Sequence, residues 1–95
     1  MTDDCLLAQN DGWLATQIDG DLIMMNSHSE VYLNLSGTGS RIWEMLKTPM
    51  HLGDLCLALS REFQIEPEEA RPQVTAFVEQ LVERKALHVI PSAGA

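Results

Sequence analysis

Apolar and polar residues alternate in three short stretches of the first half of the chain and then fall into helical spacing in the second. Trp13 to Ile18, Leu22 to Asn26 and Glu30 to Leu35 are rich in large apolar and β-branched residues, and turn chemistry separates them. Asp19-Gly20-Asp21 supplies a glycine able to take a positive φ, and Asn26-Ser27-His28-Ser29 is a polar break. These segments predict a three-stranded antiparallel meander. In its third strand Val31, Leu33 and Leu35 share one face while Glu30, Tyr32 and Asn34 share the other, so one face is buried and one is not. Leu22-Ile23-Met24-Met25 is apolar on both faces, which puts the second strand in the middle.

From Ser36 onward the spacing is helical. Ser36 is placed to cap a first helix with apolar positions Ile42, Trp43 and Leu46, although Gly37 and Gly39 weaken its opening turn. Thr48-Pro49 suits a cap followed by a first helical position, after which Leu52, Leu55, Cys56, Leu59 and Phe63 recur on one face. Pro67 with Glu68 and Glu69 predicts the start of a third helix, with acids near the positive end of its dipole. Its stripe is Val74, Phe77, Val78, Leu81 and Val82, and Pro72 either kinks it or delays its regular part to about Arg71. Leu87 to Ile90 has the length of a short terminal strand, and residues 91–95 read as a frayed tail. Residues 1–12 show no sustained periodicity and read as an N-terminal tail or lead-in. The expected fold class is therefore α+β and winged-helix-like, a three-stranded antiparallel sheet followed by three helices, in one domain over residues 13–90.

Ninety-five residues allow one modest core and not two. No apolar run approaches the roughly 20 residues of a membrane-spanning helix, and the acidic start lacks the features of a secretory signal, so the cytoplasm is the expected compartment. Fourteen acidic against six basic residues give a net charge of −8, which opposes any partner gripped through phosphates. Nucleic acid is excluded on that ground, even though a sheet followed by helices resembles DNA-binding winged helices. A neutral or basic peptide, or a basic enzyme surface, would be steered toward the chain.

Candidate chemistry is sparse. His28, His51 and His88 fall on a turn, at a helix start and in the terminal segment with no ligand-pair spacing, so neither a metal nor another cofactor is implied. Cys5 and Cys56 make no disulfide framework, and Cys56 on an apolar stripe reads as a small core residue rather than a nucleophile. Ser36-Gly37-Thr38-Gly39-Ser40 lacks the lysine of a phosphate loop and reads as a strand-to-helix turn. No catalytic constellation emerges, and the chain is expected not to be an enzyme.

Asp21-Leu22-Ile23-Met24-Met25 and the run from Glu30 through Tyr32-Leu33-Asn34 and Ile42-Trp43-Glu44 to Leu46 resemble the PqqD family, which pairs a hairpin ending in aromatic-x-Leu-Asn with an Ile-Trp-Glu-Leu-like helix. The resemblance continues through Leu52-Gly53-Asp54-Leu55 and Val74-x-x-Phe77-Val78-x-x-Leu81, with Gln73 and Lys47-Thr48 departing from the family pattern. It implies a non-catalytic element that recognises the leader of a ribosomally made precursor peptide, as in lasso-peptide pathways, and presents it to a modifying enzyme or leader protease. The implied leader adds as a strand along Glu30, Val31, Tyr32, Leu33 and Asn34, in a groove lined by Gln73, Val74, Phe77, Gln80 and Leu81, with core packing the plainer reading of Val74 and Leu81. Edge strands bind extended peptides in this way because their outward backbone groups are unpaired. The alternative is a winged-helix regulator or another protein-interaction module, and homodimerisation through the same edge stays open.

Overall fold

The computed structural model describes residues 3–90, and its first element is a strand where no periodicity predicted one. Strand β1 (Leu6–Gln9) sits in the middle of a three-stranded antiparallel sheet. Its neighbours are β5 (Met50–His51) and β6 (Leu87–Ile90), the second being the terminal strand the sequence suggested. Leu7 is fully buried and Ala8 nearly so. The reading of residues 1–12 as a tail is thus corrected for this stretch: four residues are too few to display a period, and burial on both sides comes from partners far along the chain. The tail expected at 91–95 lies outside the described residues.

The meander forms as its alternation predicts. Strands β2 (Trp13–Ile18), β3 (Asp21–Asn26) and β4 (Tyr32–Ser36) build a second antiparallel sheet with β3 in the centre. Leu22, Met24 and Leu35 point into the core with Leu33 packed against it. The third strand begins later than expected, because Glu30 has a φ of 57° and belongs to the turn. Its N–H donates to the Asn26 carbonyl, and the Asn26 side-chain oxygen accepts from the amides of His28 and Ser29.

Helices α1 (Thr38–Met45), α2 (Leu52–Phe63) and α3 (Pro67–Glu83) complete the α+β architecture. Their predicted stripes supply the core: Ile42, Trp43, Leu46, Leu52, Leu55, Cys56, Leu59, Val74, Val78 and Leu81 are all buried, whereas Phe63, at the end of its stripe, is 42% exposed. Two predicted caps are replaced. The residue before α1 is Gly37, at φ 56°, and Ser36 ends β4 instead of capping. Pro49 precedes β5, and α2 starts after His51 without a side-chain cap. Backbone carbonyls cap it: the amides of Leu52 and Gly53 donate to the carbonyls of Cys5 and Asp3. Pro67 opens α3 as predicted, and the helix runs through Pro72 for its full 17 residues.

Truncating a strand that is this well buried should be costly. Leu7→Ala is expected to lower the unfolding free energy by about 2–5 kcal/mol in urea titration. Leu14→Ala, at a position 60% exposed in β2, should change it by roughly 0.5 kcal/mol or less.

Candidate peptide-binding site

Strand β4 is one outer edge of its sheet, and one hydrogen bond shows which backbone groups that edge offers. The Asn26 amide donates to the Val31 carbonyl at 2.9 Å, so Val31 faces β3. Antiparallel ladders alternate, and the register pairs Leu33 with Met24 and Leu35 with Leu22 as the next inward-facing residues. Tyr32, Asn34 and Ser36 therefore turn their N–H and C=O groups away from β3. Their side chains lie on the exposed face, with Tyr32 66% exposed. The polypeptide then passes through Gly37 directly into α1, which packs against β4.

Beside the start of α1 lies an apolar depression formed with α3. Thr38, Gly39, Ile42, Gln73, Val74 and Phe77 enclose about 130 Å³. A neighbouring hollow of about 210 Å³ shares Thr38, Gln73 and Val74 with it and is walled further by Leu59, Phe63 and Ile65. The two form one groove along α3. Its floor depends on a close approach: a Cβ built on Gly39 would lie 2.7 Å from Cε2 and Cζ of Phe77. Glycine at this position lets the ring rest on the α1 backbone. Arg41, one turn into α1, donates from Nε to both carboxylate oxygens of Glu62 at 2.8 and 3.0 Å and ties α1 to α2 behind the groove. That pairing holds the guanidinium more firmly protonated than usual, first through the hydrogen bond and then through the charge of Glu62.

The expected site residues divide. Gln73, Val74 and Phe77 come together in the groove, Gln73 exposed, Phe77 half-buried and Val74 contributing only the edge of a side chain that is 2% exposed. Leu81 is buried in the core, and Gln80 is exposed further along α3 and does not line either hollow. Tyr32, Leu33 and Asn34 lie in β4, while Glu30 and Val31 lie in the turn before it. Thr38, Gly39, Phe63 and Ile65 line the groove and escaped the sequence reading. The one available signal was Phe63, an apolar residue at the frayed end of a stripe. Among the described residues no three His, Cys, Asp or Glu side chains are grouped to hold a metal ion. Burial pushes the Cys56 thiol above its ordinary range, with Arg71 opposing the shift.

An α+β domain with an open sheet edge next to a lined helical groove is the class this architecture defines. The family model for coenzyme PQQ synthesis protein D (PqqD) matches residues 21–87, and the chain belongs to that family. No curated protein matches it in sequence. Two solved structures share the fold. One, described as TbiB1 in complex with the TbiA(beta) leader peptide, aligns at a TM-score of 0.77 and 20% identity over 85% of this chain and 94% of that one. The other, a lasso peptide synthetase B1 complexed with the leader peptide, aligns at 0.73 and 21% over 90% and 98%. Among the described residues no helix is long and apolar enough to cross a membrane.

Gly39→Ala tests the packing that shapes the groove. Alanine gains up to about 1 kcal/mol of helix propensity, and the half-buried Phe77 ring is able to swing outward. Unfolding free energy should stay within about 1 kcal/mol of wild type. The Phe77 ring resonances should shift, and its nuclear Overhauser contacts with the α1 backbone at residue 39 should weaken.

Proposed function

We propose that this protein binds the leader region of a ribosomally synthesised precursor peptide without catalysing a reaction on it, and delivers the bound peptide to a modifying enzyme or leader protease. The leader adds to the sheet as an antiparallel strand along the outer edge of β4, and its side chains enter the groove of α1 and α3. The observation that carries this reading is a strand with three outward-facing backbone positions, Tyr32, Asn34 and Ser36, that runs through Gly37 into Thr38, a residue lining both apolar hollows walled by Phe77, Val74, Phe63 and Ile65. Backbone pairing would supply affinity, and alternate side chains in the hollows would supply selectivity. Leader peptides are also what the two similar structures are described as holding. A ribosomally made ligand is first present in the cytoplasm, which supports that compartment for this step. The net charge of −8 favours a neutral or basic leader and disfavours the DNA-binding alternative.

A pair of proline substitutions tests the mechanism. Asn34→Pro removes an outward N–H and leaves the β3 ladder intact, because an edge strand tolerates proline where its N–H faces solvent. Leu33→Pro removes an inward N–H and should destabilise the fold. Binding is measured by anisotropy of a fluorescein-labelled leader peptide that the wild-type chain binds. Asn34→Pro should stay folded by circular dichroism and bind about 5- to 150-fold more weakly, the equivalent of about 1–3 kcal/mol for a hydrogen bond left unmade. A folded Asn34→Pro variant with wild-type affinity overturns strand addition at β4.

A further inference from the structure

The sheet that carries β4 has a second edge, and it is built much like the first. Strand β2 is the opposite outer strand. Every residue from Leu14 to Ile18 is exposed, with Leu14 at 60% and Ile18 at 55%. The strand contains no charge and no proline, and its register with β3 runs unbroken from Trp13–Asn26 to Ile18–Asp21, without a bulge. Proteins ordinarily defend a bare edge with one of those devices, since its unpaired backbone groups pair with any extended chain. Nothing of that kind lies within β2.

The phase of the ladder is again fixed by a bond. The Ser27 amide donates to the Gly12 carbonyl at 2.8 Å, so Gly12, Leu14, Thr16 and Ile18 face β3. Trp13, Ala15 and Gln17 turn their backbone groups outward. The Ala15 and Gln17 side chains overhang a cleft of about 320 Å³ against α1, walled on the other side by Trp43, Glu44 and Lys47. Here the edge strand itself lines the cleft, whereas β4 reaches the hollows of α3 through Gly37 and Thr38.

We infer that the β2 edge and its α1 cleft form a docking site for an extended segment of a second protein, an uncharged β-forming run with Lys or Arg where it meets the Asp19–Asp21 turn. Charge selects this occupant. Asp11 and Asp19 bracket β2, Asp21 opens the neighbouring strand, and no Lys or Arg occurs before Arg41. Within the cleft Glu44 and Lys47 offset one another, and Lys47 also lines the hollow that holds Asp11 and Trp13, so the acidic field lies at the Asp19–Asp21 end of the edge. A second copy fits poorly. Antiparallel pairing of two β2 strands would set Asp11 of each copy against Asp19 of the other and join two chains of −8 each. The inference stands apart from leader binding at β4, and the two edges face opposite ways.

The test is a titration of the full ¹⁵N-labelled chain with a short synthetic peptide of alternating valine and threonine bearing a lysine pair at each end. Amide shifts should move at Ala15 and Gln17 and at the Trp43 indole. Hydrogen exchange at Ala15 and Gln17 should slow about tenfold when free peptide reaches about ten times its Kd. Ala15→Pro, which spares the β3 ladder, should abolish both effects, with Gln17→Pro standing in should the first variant fail to fold. A peptide with glutamates in place of the lysines should bind more weakly, and the difference should shrink with added salt. No response at millimolar peptide, a response confined to β4 and α3, or equal binding of the glutamate peptide overturns the inference. So does concentration-dependent dimerisation in sedimentation velocity that Ala15→Pro removes, since the occupant would then be a second copy.

Discussion

Helix ends leave backbone donors and acceptors without partners, and in this protein one segment, residues 3 to 13, supplies partners to an end of α1, to an end of α2 and to the turn that follows α3. The Gln9 side-chain amide donates to the Trp43 carbonyl near the end of α1 at 2.7 Å. The carbonyls of Asp3 and Cys5 receive the first amides of α2. In the turn between α3 and β6 the Asn10 amide donates to the Ala86 carbonyl, and the Asn10 and Trp13 side chains both donate to the Lys85 carbonyl. Asp3 also pairs with Arg71 on α3. Strand β1 buries Leu7 in the midst of these contacts, so the segment acts both as sheet and as a shared cap. Each individual bond contributes about 1 kcal/mol, but all of them need the segment in a single position.

That anchoring separates the molecule into a fixed platform and a presented sheet. The β1 sheet and the helices form the platform, and the meander is held to it through Leu22, Met24 and Leu35, with Leu33 and Trp13 packed alongside. Its other face and both outer strands are left toward solvent. A peptide added at β4 would extend a sheet whose position is already fixed, so most of the ordering cost would fall on the peptide. Gly39 makes the groove beside it possible, since any larger residue would push the Phe77 ring off the α1 backbone.

Local pattern carried the parts of this structure that depend on local pattern. The meander, the middle position of β3, the buried stripes of α1 and α3 and the burial of Cys56 all follow from spacing and turn residues. What stayed hidden depends on contacts distant in the chain. Leu6–Gln9 is a strand because Leu87–Ile90 and Met50–His51 lie on either side of it. Thr48-Pro49 has the chemistry of a helix start, yet carbonyls from Asp3 and Cys5 move the start to Leu52. The candidate site was legible to the same extent. Tyr32, Asn34, Gln73 and Phe77 were named as candidates through the PqqD resemblance, alternation and helical spacing giving only the exposed face of Tyr32 and Asn34 and the apolar stripe of Phe77. Thr38, Gly39 and Ile65 line the groove only because α1 and the α2–α3 turn pack where they do.

The pairing of Leu7 with Val89 orders events during synthesis. Closing a loop across nearly the whole described chain costs more entropy than closing a hairpin, and β1 leaves the ribosome long before β6 exists. Until then the ends of α1 and α2 and the turn after α3, which depend on residues 3 to 13, lack the completed sheet that fixes their partner. The meander needs only its own turns, at Gly20 and at Asn26 to Glu30, and is complete once Ser36 has emerged. A nascent chain would therefore display both bare strand edges before the platform behind them has closed, which makes the early meander the stage most open to mispairing with neighbouring chains.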